Sequence, residues 1–157
     1  MRGRVLNTVN FMEEALLEAA AAAERGEVPV GAVLVGPDGV ILAKTGNRTE
    51  EYRDPTAHAE ILAIREASQK TGTPRLIGCD FYITLEPCAM CAAAISFARL
   101  RRVYFAAYDP KGGAVDHGPR FFSQPTCHHI PEIMGGIEEQ RASKLLKNFF
   151  KMRRDSL

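Results

Sequence analysis

The sequence predicts a three-layer α/β/α domain built on a mixed five-stranded sheet, and three observations carry that prediction. Five short runs rich in β-branched and aromatic residues fall at about 30–35, 40–45, 80–85, 102–108 and 130–134, the composition of strands. The first two runs flank Gly36-Pro37-Asp38-Gly39, whose dihedral preferences suit a hairpin turn, so that pair is antiparallel. The later runs alternate with helical patterns, and a strand–helix–strand order requires parallel neighbours with helices covering the sheet.

Each element has its own signal. From about Leu6 to Glu24 the apolar residues Val9, Met12, Leu16, Ala19, Ala20 and Ala23 recur at spacings of three and four, which predicts a helix with one buried stripe ending at Gly26. "TAHAEILAIREASQKTG" carries strong helix formers and stops at Gly72, with Pro74 just beyond. "DFYITLEP" reads as a strand. "CAMCAAAISFARL" is apolar nearly all round and reads as a buried helix, closed by Arg99, Arg101 and Arg102 at the negative end of its dipole. "RVYFAAY" is the next strand. Residues 109–129 are irregular, with "PKGGAVDHGP" at their start, and long irregular segments in compact domains are often functional. A short strand near Ile130–Met134 and a helix from about Ile137 to Arg153 complete the chain. No repeat or linker interrupts it, so residues 1–157 are expected to form one domain.

Twenty Lys and Arg against nineteen Asp and Glu leave a net charge of +1, so global charge predicts no polyanion partner. No apolar run approaches the roughly 20 residues of a membrane span. The N-terminal stretch is broken by Asn10, Glu13, Glu14 and Glu18 and reads as an amphipathic helix. A cytoplasmic location is the expectation, and there Cys79, Cys88, Cys91 and Cys127 stay reduced, as metal ligands or buried thiols.

The chemistry concentrates in two short motifs. "EPCAMC" sets Cys88 and Cys91 three apart in the first turn of a helix, where the dipole and unpaired N–H groups favour thiolate, the form that binds metal. Alone, such a pair also fits two packed thiols or a redox couple. Thirty residues upstream His58 begins the preceding helix, and consecutive strand-to-helix connections bring both helix starts to one edge of a sheet. Three protein ligands leave a fourth position open for water, as in catalytic zinc sites. "TCHH" at 126–129 is an alternative source of a ligand, or of a separate site with His117, although packed or solvated loop residues are the plainer reading. With a position open, Glu60, two residues past His58, can meet a metal-bound water and move its proton, whereas by itself it is only a dipole-stabilising first-turn carboxylate.

His-Ala-Glu with Pro-Cys-Ala-Met-Cys is the signature of zinc-dependent nucleobase deaminases. Along nearly its whole length the chain resembles the bacterial tRNA-specific adenosine deaminases of the cytidine/deoxycytidylate deaminase superfamily. The stretches that carry the resemblance are "GEVPVGAVLV", "GNRT", "PTAHAEILAI", "FYITLEPCAMCAAAI", "DPKGG" and "FFKMRR". The resemblance implies one Zn2+ per subunit on His58, Cys88 and Cys91, with Glu60 as proton shuttle. It further implies that Asn47 hydrogen-bonds the purine and that Val30 packs on its face. The implied reaction is attack of zinc hydroxide at C6 of the wobble adenosine of an arginine tRNA anticodon, giving inosine and ammonia, by a homodimer. Where many relatives carry a small-residue segment after the Lys-Gly region, this chain reads "AVDHGPRFFSQPTCHH", so contacts of that segment do not transfer.

In the last seventeen residues Arg141, Lys144, Lys147, Lys151, Arg153 and Arg154 oppose only Asp155. Positions 141, 144, 147, 151 and 154 follow helical spacing, giving a basic face that is either simply solvated or an RNA surface. Phe149 and Phe150 offer a ring for an unstacked base, with core packing the plainer role for at least one. Lys147, Phe150, Lys151, Arg153 and Arg154 are the candidate nucleic-acid contacts. Two other functions share the signature: a deaminase of a free base or nucleoside such as guanine or cytosine, and a non-catalytic zinc or RNA-binding module. Glu60 argues against the second, since a purely structural site needs no carboxylate there.

Overall fold

The computed structural model of the chain describes residues 2–155, with side chains placed from residue 11 onward. Helix α1 (Arg2–Glu24) leads into the hairpin β1 (Gly31–Val35) and β2 (Ile41–Gly46). Helix α2 (Ala59–Thr71), strand β3 (Asp80–Leu85), helix α3 (Ala89–Ala98) and strand β4 (Arg102–Ala107) follow. After an irregular stretch holding one 3-10 turn (Phe121–Ser123) come β5 (Glu132–Gly135) and α4 (Glu139–Asp155). The sheet order is β2-β1-β3-β4-β5. Strand β1 pairs antiparallel with β2 and β3, whereas β3, β4 and β5 are parallel. The mixed five-stranded prediction therefore holds, with strand ends within one or two residues.

Alternation along the strands sorts the side chains into two cores. Ala32, Leu34, Phe81, Ile83, Val103 and Phe105 face α2 and α3, which contribute Ala59, Ala63, Ala67, Ala92 and Ile95. Val33, Val35, Tyr82 and Ala106 face α1 and α4, which contribute Met12, Ala15, Leu16 and Ala142. These are the three layers.

Three expectations need correction. The buried stripe of α1 runs through Met12, Ala15, Leu16, Ala19 and Ala22, whereas Ala20 and Ala23 are half-buried and Val9 lies outside the described side chains. The sheet, not spacing alone, selects the face: a Cβ on Gly31 of β1 would come 1.9 Å from the Ala15 carbonyl oxygen, so the helix lies backbone-close on the hairpin. Helix α3 is not buried all round; Cys91, Ala92, Ile95, Ser96 and Ala98 are inside, while Phe97 is 75% exposed. Nor do three arginines close it. Arg99 is the left-handed C-cap, while Arg101 pairs with Asp80 at 2.8 Å and Arg102 with Glu132 at 3.0 Å.

Because β1 opposes both β2 and β3, the last two point the same way, and α2 and α3 start at the same sheet edge. Chemistry gathers at that edge.

Candidate metal centre and catalytic site

His58 is the N-cap of α2 and Cys88 the N-cap of α3, both in extended conformation, with φ of −70° and −74°. Their carbonyls accept the first helical bonds, from Leu62 N–H and Ala92 N–H. Neither side chain caps its own helix. Both turn toward each other: His58 Nδ1 lies 3.7 Å from Cys88 Sγ and 3.6 Å from Cys91 Sγ, one turn into α3. Tetrahedral zinc with bonds of about 2.3 Å to sulfur and 2.0–2.1 Å to nitrogen requires an N···S separation of about 3.6 Å. The spacing fits.

The electrostatics also point to a cation. The Cys91 thiol donates to Cys88 and, against the cost of burial and with help from His58, holds the Cys88 thiol down to about 4. Cys91 is pushed up, because Cys88 already takes the charge and because it is buried beside Glu60. The Cys88 sulfur raises the His58 imidazole against the effect of burial. Two sulfurs and a carboxylate this close cannot all ionise without a positive charge among them. His58, Cys88 and Cys91 are the cluster of potential ligands among the described residues, and it fits one zinc ion.

Glu60, 4% exposed, stands in the first turn of α2 against this cluster. Burial pushes its carboxyl up, although its own backbone N–H and His58 pull the other way. Its Oε1 is a buried polar atom with no hydrogen-bond partner. Buried oxygens rarely stay unpartnered, so this one is aimed at something that arrives with the ligand. Asn47, at the end of β2, is 8% exposed, and its Oδ1 accepts from Ala59 N–H at 2.8 Å. The amide is thereby oriented, its NH2 left as the outward donor. Val30, 5% exposed, is bound to the same turn, its carbonyl accepting from Asn47 N–H at 3.1 Å.

Two buried glutamates flank the site and carried no recognisable signal in the sequence. Glu27 accepts from Thr49 Oγ1 and from Glu50 and Glu51 N–H, which pins the loop after Asn47. Glu86, two residues before Cys88, takes four donors from the irregular segment. His117 is one of them, at 2.8 Å. The "TCHH" residues build no site: Cys127 Sγ lies against Ser96 Oγ and the His129 carbonyl, the His129 ring meets the Leu100 carbonyl, and His128 is exposed.

Of the basic residues, Arg141 is bound to Glu13, and Arg153 donates to the Gly26 carbonyl and lies 4.8 Å over the Phe149 ring. Phe149 is buried and Phe150 is 46% exposed. Phe150, Arg153 and Arg154 border an open cavity of about 790 Å³ that Val28, Leu85, Tyr108 and Lys111 also line. Lys147 and Lys151 are exposed but do not border it.

A family model described as the cytidine and deoxycytidylate deaminase zinc-binding region matches residues 7–107. The tRNA-specific adenosine deaminase of Agrobacterium fabrum is 59% identical over 145 residues, covering 92% of this chain and 95% of that protein. A solved structure from work on A-to-I editing by tRNA:A34 deaminases at the wobble position is 60% identical, with a TM-score of 0.86 over 87% of this chain and 99% of that one. Guanine deaminase of Bacillus subtilis is similar at 31% identity and a TM-score of 0.62, covering 92% of each chain. The chain belongs to the cytidine and deoxycytidylate deaminase family and, within it, to the tRNA-specific adenosine deaminases.

Proposed function

We infer that the protein hydrolyses the wobble adenosine of a tRNA anticodon to inosine, and that Glu60 moves the protons. The observation that carries this reading is the unpartnered Oε1 of Glu60 beside His58, Cys88 and Cys91. His58 Nδ1 and the two sulfurs would hold the zinc, which supplies the acidity that makes water nucleophilic near neutral pH. Glu60, its carboxyl raised by burial, accepts the proton as water adds to C6 of the flipped adenine and delivers it to ring N1. It then carries a second proton to the departing amine. Adenosine and water become inosine and ammonia.

Asn47 and Val30 seat the base. The oriented amide of Asn47 offers its NH2 to an acceptor nitrogen of the purine, and Val30 packs on the ring face. Phe150, Arg153 and Arg154, which line one cavity, suit an anionic strand with unstacked bases. Lys147 and Lys151 extend the positive charge along α4. The finer substrate is an arginine tRNA and the working assembly a cytoplasmic homodimer. Met90, Ala93, Ala94 and Phe97 share one face of α3 at helical spacing, and the exposed Phe97 gives a second copy an apolar surface to cover. Among the described residues no helix is long and apolar enough to cross a membrane.

Glu60→Ala tests the reading. It should keep one zinc per chain while inosine formation falls by at least about 100-fold, the usual scale for a lost general acid–base. Near-wild-type turnover in that variant would remove Glu60 from the mechanism.

A further inference from the structure

Glu86 has a fully buried carboxylate. Its Oε1 accepts from Asp109 N–H at 3.0 Å and from the His117 ring at 2.8 Å. Its Oε2 accepts from Val115 N–H at 3.1 Å and Asp116 N–H at 3.0 Å. Every donor comes from one irregular stretch, residues 109–117, which thus folds around a single side chain. The next residue joins in, since the Pro87 carbonyl accepts from Ala114 N–H at 2.8 Å. Gly113 is packed so tightly against the carboxylate that a Cβ there would lie 2.5 Å from Glu86 Oε2.

The pinned stretch borders a cavity: Asp109, Lys111 and Gly112 line it together with Phe150, Arg153 and Arg154. Leu85, adjoining Glu86 at the end of β3, lines it as well. One carboxylate therefore ties this wall to the turn that carries Cys88.

We propose that Glu86 is a positioning residue for the nucleotides flanking the target base, acting through the 109–117 segment it holds against the turn between β3 and α3. The proposal rests on the tRNA reading above. A buried carboxylate that takes backbone N–H groups on both oxygens is hard to replace. The amide introduced by Glu86→Gln would turn its NH2 toward a backbone N–H whichever way it flips, Asp109 on one side or Val115 and Asp116 on the other, leaving a buried donor unpaired and the wall free to move. None of the groups bonded to Glu86 belongs to His58, Glu60, Cys88 or Cys91, so the defect should fall on substrate binding and not on the proton transfers.

The test uses the zinc-loaded full chain and an anticodon stem-loop. For Glu86→Gln the KM should rise about tenfold or more while kcat stays within about threefold, since one unsatisfied buried donor costs of order one factor of ten. Zinc should remain at one per chain, and amide hydrogen exchange across 109–117 should accelerate. Gly113→Ala is the second variant. It drives a Cβ into the same contact with Glu86 intact, and it should give the same KM-weighted loss if the carboxylate works through the segment. Loss of zinc with KM unchanged would show that Glu86 serves the metal turn and overturn the proposal. So would unaltered exchange, or accelerated exchange with unaltered KM. If the wild-type chain makes no inosine, the functional reading fails on its own, while exchange in the two variants still decides whether Glu86 holds the wall.

Discussion

His58 and Cys88 are poor helix caps by composition, and that is informative at the scale of single residues. A Ser, Thr, Asp or Asn at either position would bond the helix start and stabilise it by about 1 kcal/mol; here both caps give up that bond and point at one spot. This part of the site was legible, because residue type and position along a helix are local properties. Glu27 and Glu86 were not legible, because what distinguishes a buried carboxylate from a surface one is the set of N–H and hydroxyl groups that converge on it from 22 to 31 residues away. Cys88→Ala should lose zinc and melt at a lower temperature than the zinc-loaded wild type. A ligand at roughly 1,000 times its dissociation constant stabilises by about 4 kcal/mol, and that contribution disappears. Metal analysis with parallel thermal unfolding checks it. Glu27 supplies a pH prediction. Burial pushes its carboxyl up, but the Glu51 and Glu50 N–H groups and Thr49 hold it below the usual 4.5 on balance. A depressed folded value means the stabilisation is complete above the unfolded pKa and is lost as pH falls through the lower folded one. Urea unfolding followed from about pH 6 to about pH 3 should therefore show a loss of stability below about 4.5 that is shallower in Glu27→Gln. An equal slope in both proteins would place the acid sensitivity elsewhere.

At the scale of elements, the strands and the two site helices were readable because alternation, turn residues and cap positions agree along the chain. Gly36-Pro37-Asp38-Gly39 turns the hairpin with Gly39 at φ +84°, and Gly72 ends α2 in the left-handed conformation that a C-cap requires. The misreadings share a cause. The inward face of α1 and the exposed face of α3 were assigned from each helix's own sequence, whereas the neighbours decide them. Gly31 and Gly46 pair across β1 and β2, and a Cβ on either would collide with the backbone of α1, 1.9 Å from the Ala15 oxygen and 2.9 Å from the Glu18 oxygen. Two cross-strand glycines let the helix settle onto the hairpin. Gly31→Ala should cost about 1–3 kcal/mol or more, the scale of overpacking in a closed core, and chemical denaturation measures it. A neutral substitution would mean that α1 can lift off the sheet without loss.

At the scale of the whole molecule, one strand direction organises the function. The reversal of β1 between β2 and β3 sets the starts of α2 and α3 side by side, and the metal cluster, Glu60 and Asn47 all follow from that arrangement. The family model covers residues 7–107 and so ends before the irregular wall and before α4. Those later parts were the least legible in the sequence: "AVDHGPRFFSQPTCHH" has no periodicity, and its order comes from a carboxylate in another element. They also line the 790 Å³ cavity, edged by Arg153 and Arg154. The cluster of potential metal ligands sits at the sheet edge, and the proposed contacts to a polynucleotide fall on this later wall and helix. The most direct measurement is to incubate the zinc-loaded protein with total bacterial tRNA and map inosine by sequencing. Inosine should appear at the wobble position of an arginine tRNA and nowhere else. Unmodified tRNA together with turnover of free guanine or cytosine would contradict this reading.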